Sequence, residues 1–135
     1  MADWADVRRI ALALAASEER SSRGGLASWW VRDKMFAWER PLRPKEALEL
    51  GDAAPSGPIL AARVEHLGAK QALLACEPEL FFATSHFDGH PSVLGRLPSI
   101  PRELLEEVIV EAWLARAPRR LADDYLATRA DTSSG

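Results

Sequence analysis

Cysteine is nearly absent from this chain of 135 residues, which contains Cys76 alone. A single thiol excludes an intramolecular disulfide and a thiolate cluster for zinc. This usage fits a reducing compartment, and we expect the protein in the cytoplasm. Long apolar runs are also missing, since no stretch approaches the ~20 residues of a membrane span. We interpret the apolar run at 10–16 as a helix face rather than a signal peptide, and we expect no membrane partner.

An excess of positive charge is missing too. Lys and Arg number 17 against 20 Asp and Glu, which gives a net charge of −3. Proteins that bind nucleic acid on their own usually carry a basic excess, because phosphate neutralisation supplies most of the affinity. A domain of this charge can bind DNA only through a local basic face, and we expect such binding to be weak.

Catalytic motifs are absent as well. Gly-x-Ser-x-Gly does not occur, and the triad-like residues Ser85, His86 and Asp88 follow one another in one predicted hairpin. His86 and His90 flank a predicted two-residue turn, Asp88-Gly89, which would point the two imidazoles to opposite faces. We therefore expect no catalytic residue, no metal site and no cofactor, and we predict that the protein is not an enzyme.

Two hairpin patterns are present. In the first, over 28–40, a turn at Arg32-Asp33 or at Asp33-Lys34 gives the same parity of side chains. One face is wholly apolar and is predicted to be core, whereas the other also holds a cation. The apolar set is Trp29, Val31, Phe36 and Trp38, and the other set is Trp30, Arg32, Met35 and Ala37.

The second hairpin spans 81–97, where Asp88-Gly89 lies between apolar runs and Gly accepts the positive φ of a tight turn. Another strand is predicted at 59–64, and helices near the start of the chain, at 67–76 and after Pro101. The polar, Gly-rich stretch 18–25 is predicted to be a loop. The length predicts one domain over 1–130, with a flexible tail at 131–135.

Three motifs occur in a defined order. They are a Trp-x-Val-x-x-Lys-x-Phe-Ala hairpin (Trp29, Val31, Lys34, Phe36, Ala37), a wing containing His86, and a helix led by Pro101-x-x-Leu104. In this order and spacing they resemble the MmcQ/YjbR family of "double-wing" DNA-binding-like proteins, over nearly the whole chain. The resemblance implies an α+β fold: an antiparallel sheet of two β-hairpin wings plus a further strand, covered by helices and similar to frataxin-like proteins.

The resemblance also implies weak, largely sequence-independent binding of double-stranded DNA through basic wing tips. The best candidate contacts are Arg32 and Lys34, followed by Arg40 and Arg43. All four would contact phosphates, which carry no base information. The alternative, favoured by the net charge, is a protein-interaction or small-ligand-binding module that uses one sheet face. The residues of that alternative site are Trp30, His86 and His90.

Overall fold

The computed structural model describes residues 2–22 and 24–134, the last six of these by backbone alone. The chain folds as α+β around one six-stranded antiparallel sheet. The helices are α1 (Trp4–Leu12), α2 (Pro44–Leu50), α3 (Leu67–Cys76), α4 (Arg102–Arg116) and α5 (Arg119–Ser134). The strands are β1 (Ser17–Ser21), β2 (Ala27–Val31), β3 (Lys34–Glu39), β4 (Ile59–Arg63), β5 (Phe81–Phe82) and β6 (Ser92–Arg96). Three short 3-10 helices lie at Gly51–Ala53, Ser85–Phe87 and Leu97–Ser99.

The strand order β1-β2-β3-β4-β6-β5 confirms the predicted fold class, an antiparallel sheet of two wings plus a further strand, covered by helices. The further strand, β4, lies between the two wings. Strand β1, however, was predicted to be a loop. It pairs along its whole length with β2 at the edge of the sheet. Its side chains are polar and at most half-buried, so it lacks the apolar alternation by which strands are recognised in a sequence.

Strand β3 contains a bulge that the sequence pattern did not predict. Trp30 pairs with Met35, whereas the preceding Trp29 pairs with Ala37. Phe36 is therefore an extra residue between two consecutive pairs of the ladder. Beyond such an insertion, the parity of inward and outward side chains is reversed.

The first wing is the hairpin of β2 and β3. The bulge decides which of its aromatic residues lie in the larger hydrophobic core of the protein, which we call the main core. Trp29, Val31 and Phe36 are fully buried there, as predicted. Ala37 joins them, although it was assigned to the other face. The assignment of Trp38 to the same core is wrong: it is half-buried on the opposite side of the sheet, because counting by two fails across the bulge.

The second wing differs from the predicted tight hairpin. A loop at 83–91, which includes the Ser85–Phe87 3-10 helix, separates β5 from β6. A turn does lie at Asp88-Gly89, where the amide of His90 donates to the carbonyl of Phe87 at 3.0 Å and Gly89 has φ +74°. Asp88 has φ −58° and ψ 129°, so this is a type II turn inside a longer loop.

The sheet has one covered face and one partly open face. On the covered face, α4 packs against β3 and β4, α1 packs beside it on α4 and β1, and their apolar sides form the main core. On the other face, α2 and the 83–91 loop cover a smaller core under β4 and β6. We call the remaining part of this second face, over β1, β2 and β3, the open face.

The C-terminal part of the chain is more helical than predicted. Helix α5 runs to Ser134, so four positions of the predicted 131–135 tail have helical backbone, and Gly135 lies outside the described residues. The flexibility of that tail stays a prediction. Among the described residues, no helix is both long and apolar enough to cross a membrane.

Candidate functional site

The open face carries a groove of about 730 Å³ with an aromatic floor. Trp30, Met35 and Trp38 line it, and its rim holds cationic side chains from β1 and from the segment before α2. The indole N–H of Trp30 donates to the hydroxyl of Ser28 at 2.8 Å, and the Arg20 guanidinium lies 4.3 Å above the Trp30 ring. Trp30, one of the predicted ligand-binding residues, therefore faces a groove, with a cation already stacked on it.

The tip of the first wing, which we define as Arg32, Asp33 and Lys34, projects from the end of the sheet. All three residues are exposed, and Arg32 adopts a positive φ of 56° in the turn. Arg20 holds the Asp33 carboxylate at 3.5 Å and also pairs with Glu18. Within the described part of the chain, Arg32 and Lys34 form no ion pair, so both cations are free to contact an anion.

Arg40 is not available for such a contact. Its side chain is only 11% exposed, and its Nη1 lies 2.9 Å from Oε1 of Glu46 on α2. The Arg40 guanidinium also lies over the ring of Phe87, 5.2 Å from the centroid. Buried ion pairs of this kind are costly to break, so we remove Arg40 from the predicted DNA contacts. Arg43, at the start of α2, is exposed and remains a candidate for a phosphate contact.

Glu46 is a structural anchor that the sequence did not reveal. Its carboxylate accepts hydrogen bonds from the Thr84 hydroxyl at 2.6 Å, the Arg43 amide at 3.0 Å and Arg40 Nη2 at 3.1 Å. Burial alone would raise the pKa of Glu46, but these three donors outweigh it and lower the pKa to about 2. One turn later, Glu49 accepts from the Ser85 hydroxyl at 2.6 Å. Helix α2 is thus fastened to the 83–91 loop.

Lys70 holds the same loop from the other side. This lysine on α3 is 4% exposed, and its ammonium donates to the carbonyl oxygens of Phe87 at 2.6 Å and His90 at 2.8 Å. Burial lowers the pKa of Lys70, while the charge of Asp88 acts in the opposite direction. The 83–91 loop, which carries His86 and His90, is therefore fixed by buried charged groups at both of its ends.

A second, smaller cavity of about 240 Å³ lies at the end of the sheet beside the first wing. We call it the basic cavity. Its polar lining consists of Arg63, Arg116, His86 and His90, and its apolar walls are Met35, Trp38 and Phe87. Arg63 ends β4, and Arg116 ends α4, whose body packs on the covered face. The two arginines thus reach one cavity from opposite sides of the sheet.

In the part of the chain that the structure describes, neither arginine forms an ion pair. The Nε atoms of Arg63 and Arg116 are buried, and the residues that the structure describes provide no acceptor for either. A buried donor without a partner costs about 1–3 kcal/mol. Burial, and then the positive charge of Arg116, hold the pKa of Arg63 below its usual range, yet a guanidinium stays charged at any physiological pH.

His86 and His90 do not diverge as predicted. Both line the basic cavity, because the chain between them forms the end of a 3-10 helix and a turn instead of a strand ladder. Burial is the first cause that lowers the pKa of His90, followed by the charges of Arg63, Lys70 and Arg116. The predicted site at Trp30, His86 and His90 is therefore two adjoining hollows that share Met35 and Trp38.

The described residues are not arranged as a nucleophilic triad or as a metal site, the two other chemistries considered from the sequence. The Ser85 hydroxyl donates to Glu49, so its hydrogen bond does not go to an imidazole. In the described ranges, no group of three or more His, Cys, Asp or Glu side chains is arranged to hold a metal ion. The arginines beside the two histidines also oppose a cation at that position.

Acidic residues concentrate on the outer side of α4. Glu103, Glu106, Glu107 and Glu111 surround one shallow hollow there, and Asp123 and Asp124 follow on exposed positions of α5. Helix α4 covers one face of the sheet, whereas the groove and the basic cavity open on the other. The charges that sum to −3 are therefore unevenly distributed, with acidic residues concentrated on the side of α4.

The fold places the chain among known structures. It is similar to the crystal structure of the Deinococcus radiodurans protein DR2400, which has a DUF419 domain, with a TM-score of 0.63 and 19% identity over 84% of this chain and 78% of that one. This fold is related to that of the YjbR/MmcQ proteins. No family model matches the chain.

Two mycobacterial proteins are more similar to this chain in sequence than the structural neighbour is. The chain is 47% identical over 130 residues to Uncharacterized protein Rv2570 of Mycobacterium tuberculosis (strain ATCC 25618 / H37Rv), covering 94% of this chain and 98% of the relative. The same values hold for Uncharacterized protein Mb2600 of Mycobacterium bovis. The chain belongs to the family of these mycobacterial proteins.

Proposed function

We propose that the protein is a non-enzymatic domain of MmcQ/YjbR type that binds double-stranded DNA weakly, and largely without sequence preference, through the tip of its first wing. Arg32 and Lys34 make the principal contacts, and they contact phosphates. Such contacts fix a protein on the duplex without reading its bases.

The exposure of Arg32 and Lys34 carries this proposal. Both cations project from a two-residue turn at the end of a rigid, bulged hairpin. The acidic residue between them, Asp33, is already held by Arg20 at 3.5 Å. A turn that presents two cations on a paired hairpin has little backbone freedom to lose when it meets a phosphate backbone.

The distribution of charge supports the same face. The glutamates of α4 lie on the covered side of the molecule, away from the groove. On the other side, Glu46 and Glu18 are paired with Arg40 and Arg20. Phosphates approaching the wing tip therefore meet few unpaired carboxylates, despite the acidic balance of the chain.

Fluorescence anisotropy with a labelled duplex tests the proposal. The variant Arg32→Glu/Lys34→Glu removes both cations, and Arg9→Glu/Lys45→Glu is the matched control with the same change in net charge. Arg9 and Lys45 are exposed and lie outside the wing, on α1 and α2. We expect the wing variant to lose most of the affinity and the control to lose less than about threefold. Equal loss in both variants would leave only a net-charge effect and would contradict the proposal.

A second function is favoured by one observation, the aromatic floor of the open groove. Trp30, Met35 and Trp38 form an accessible apolar strip between cationic rims, a surface suited to an extended peptide or a small aromatic ligand. The test is an NMR ligand screen that reads the indole N–H signals of Trp30 and Trp38. The indole of Trp113, buried in the main core and bonded to the carbonyl of Ala15, is the internal control.

A further inference from the structure

We propose that the basic cavity is a binding site for a dianionic tetrahedral group, the phosphate of a phosphomonoester or inorganic phosphate. The site does not depend on DNA binding by the wing tip. It is assembled from β4, the 83–91 loop and the end of α4, and neither Arg32 nor Lys34 lines it.

The first argument is charge. Arg63 and Arg116 share a cavity of about 240 Å³ with His86 and His90, and no carboxylate is among the described residues that line it. Two other arginines on this side of the sheet are compensated by carboxylates: Arg40 pairs with Glu46, and Arg20 pairs with Glu18. Two guanidiniums in one partly buried site repel each other, and an anion bound between them would relieve that repulsion.

The second argument is hydrogen bonding. The Nε atoms of Arg63 and Arg116 are buried without an acceptor among the residues that the structure describes. An arginine binds an oxyanion in a bidentate manner through Nε and one terminal nitrogen, so a free Nε is the donor that such binding requires. Two forks of this kind can contact several oxygens of one tetrahedral group.

The third argument concerns the apolar walls of the basic cavity. Met35, Trp38 and Phe87 limit access of water to the charged groups, which strengthens each electrostatic contact. Lys70 and Glu49 fix the backbone of the loop that carries both histidines, so the cavity needs little reordering to accept a ligand. A metal cation is opposed by the same charges, and a monocarboxylate neutralises only one of the two arginines.

Isothermal titration with sodium sulfate and with inorganic phosphate, at low ionic strength, tests the site. We expect saturable binding near one equivalent, weakened at least tenfold in Arg63→Gln and in Arg116→Gln. The matched control is Arg96→Gln, a half-buried arginine at the other end of the same face, which lies 4.8 Å over the ring of Phe82. Its sulfate affinity should change less than about twofold.

An NMR titration of the wild-type protein keeps the proposal testable even if the variants do not fold. Sulfate should shift the imidazole signals of His86 and His90 and leave His66, at the start of α3, unchanged. Absence of saturable binding of both anions in the tens of millimolar range would overturn the proposal. So would binding that both glutamine variants retain, or shifts that spare the two cavity histidines.

Two further titrations distinguish the sources of the phosphate. A short single strand with a 5′-phosphate is compared with the same strand bearing a 5′-hydroxyl. Tighter binding of the phosphorylated strand, abolished in Arg116→Gln, would identify the end of a nucleic acid as the ligand. Equal binding of the two strands, with inorganic phosphate still bound, would exclude the end of a nucleic acid and leave a small phosphomonoester or inorganic phosphate as the ligand. Failure of duplex binding in the anisotropy assay would leave either result standing.

Discussion

The buried ammonium of Lys70 lies 2.8 Å from the carbonyl oxygen of His90. This hydrogen bond, with a second one to the carbonyl of Phe87 at 2.6 Å, joins α3 to the loop that carries both cavity histidines. The backbone of the second wing is thus held by a side chain from a different element. Its shape is set by tertiary contacts rather than by the Asp-Gly sequence alone.

Replacement of Lys70 by methionine should destabilise the protein by about 1–3 kcal/mol, because two carbonyl oxygens lose a charged donor in a buried place. The free energy of unfolding from urea titration measures this effect. The same variant should raise the pKa of His90, since one of the positive charges that lower it disappears. An imidazole titration by NMR reads this pKa, and an unchanged value would contradict the proximity of the two groups.

Glu46→Gln should weaken the fold at neutral pH by roughly 3 kcal/mol, which follows from a pKa of about 2 in the folded chain against an ordinary value of 4.5. Because the folded pKa is the lower one, this stability is present above pH 4.5 and is lost as the pH falls towards 2. The stability curves of wild type and variant should therefore converge in acid. Glu49→Gln, on an exposed side chain of the same helix, should cost less than about 1 kcal/mol. Parallel curves down to pH 2 would contradict the anchor.

Sulfate binding at the basic cavity should strengthen as the pH is lowered from about 8 to about 5.5. Sulfate keeps its charge over this range, so the change reports the protein. A bound dianion favours protonated His90, whose neighbours are Arg63, Arg116, Lys70 and His86, with Asp88 near Lys70. Proton uptake, measured by calorimetry in two buffers, should accompany binding. His90→Gln should remove most of this pH dependence, and a dependence that survives the substitution would exclude His90 from the site.

Zinc should not be retained by the purified protein after dialysis without chelator. His86 and His90 share a cavity, but Arg63 and Arg116 beside them repel a divalent cation, and structural zinc usually has four ligands. Elemental analysis measures the content. One equivalent of zinc that disappears in His86→Ala would show that the two histidines coordinate a metal.

The predictions from sequence held where local pattern and tertiary structure agree. Trp29, Val31 and Phe36 are buried because period-two alternation places them on one face, and the main core confirms this. The pattern failed at Trp38, because the insertion of Phe36 as a bulge leaves no signal in the residue types. It failed at β1 because an edge strand of polar residues resembles a loop.

The sites were harder to predict than the fold, because their residues converge from distant elements. Arg63 ends β4 and Arg116 ends α4, and no local pattern marks either residue as part of a site. Their shared cavity is visible only once α4 and β4 meet. Arg40 was predicted to contact DNA, and its burial depends on Glu46 of α2, a partner that the sequence pattern does not reveal.

The salt dependence of duplex binding tests the central claim most directly. Wild type should bind with a dissociation constant of about 10⁻⁴–10⁻⁶ M, in the range of sequence-independent binding, and similarly for unrelated duplexes. Arg32→Glu/Lys34→Glu should bind more weakly, and its slope of log affinity against log salt should be shallower by about 1.8, since each lost phosphate contact removes about 0.9. No measurable binding by wild type at tens of micromolar protein in low salt, or an unchanged slope in the double variant, would contradict the account.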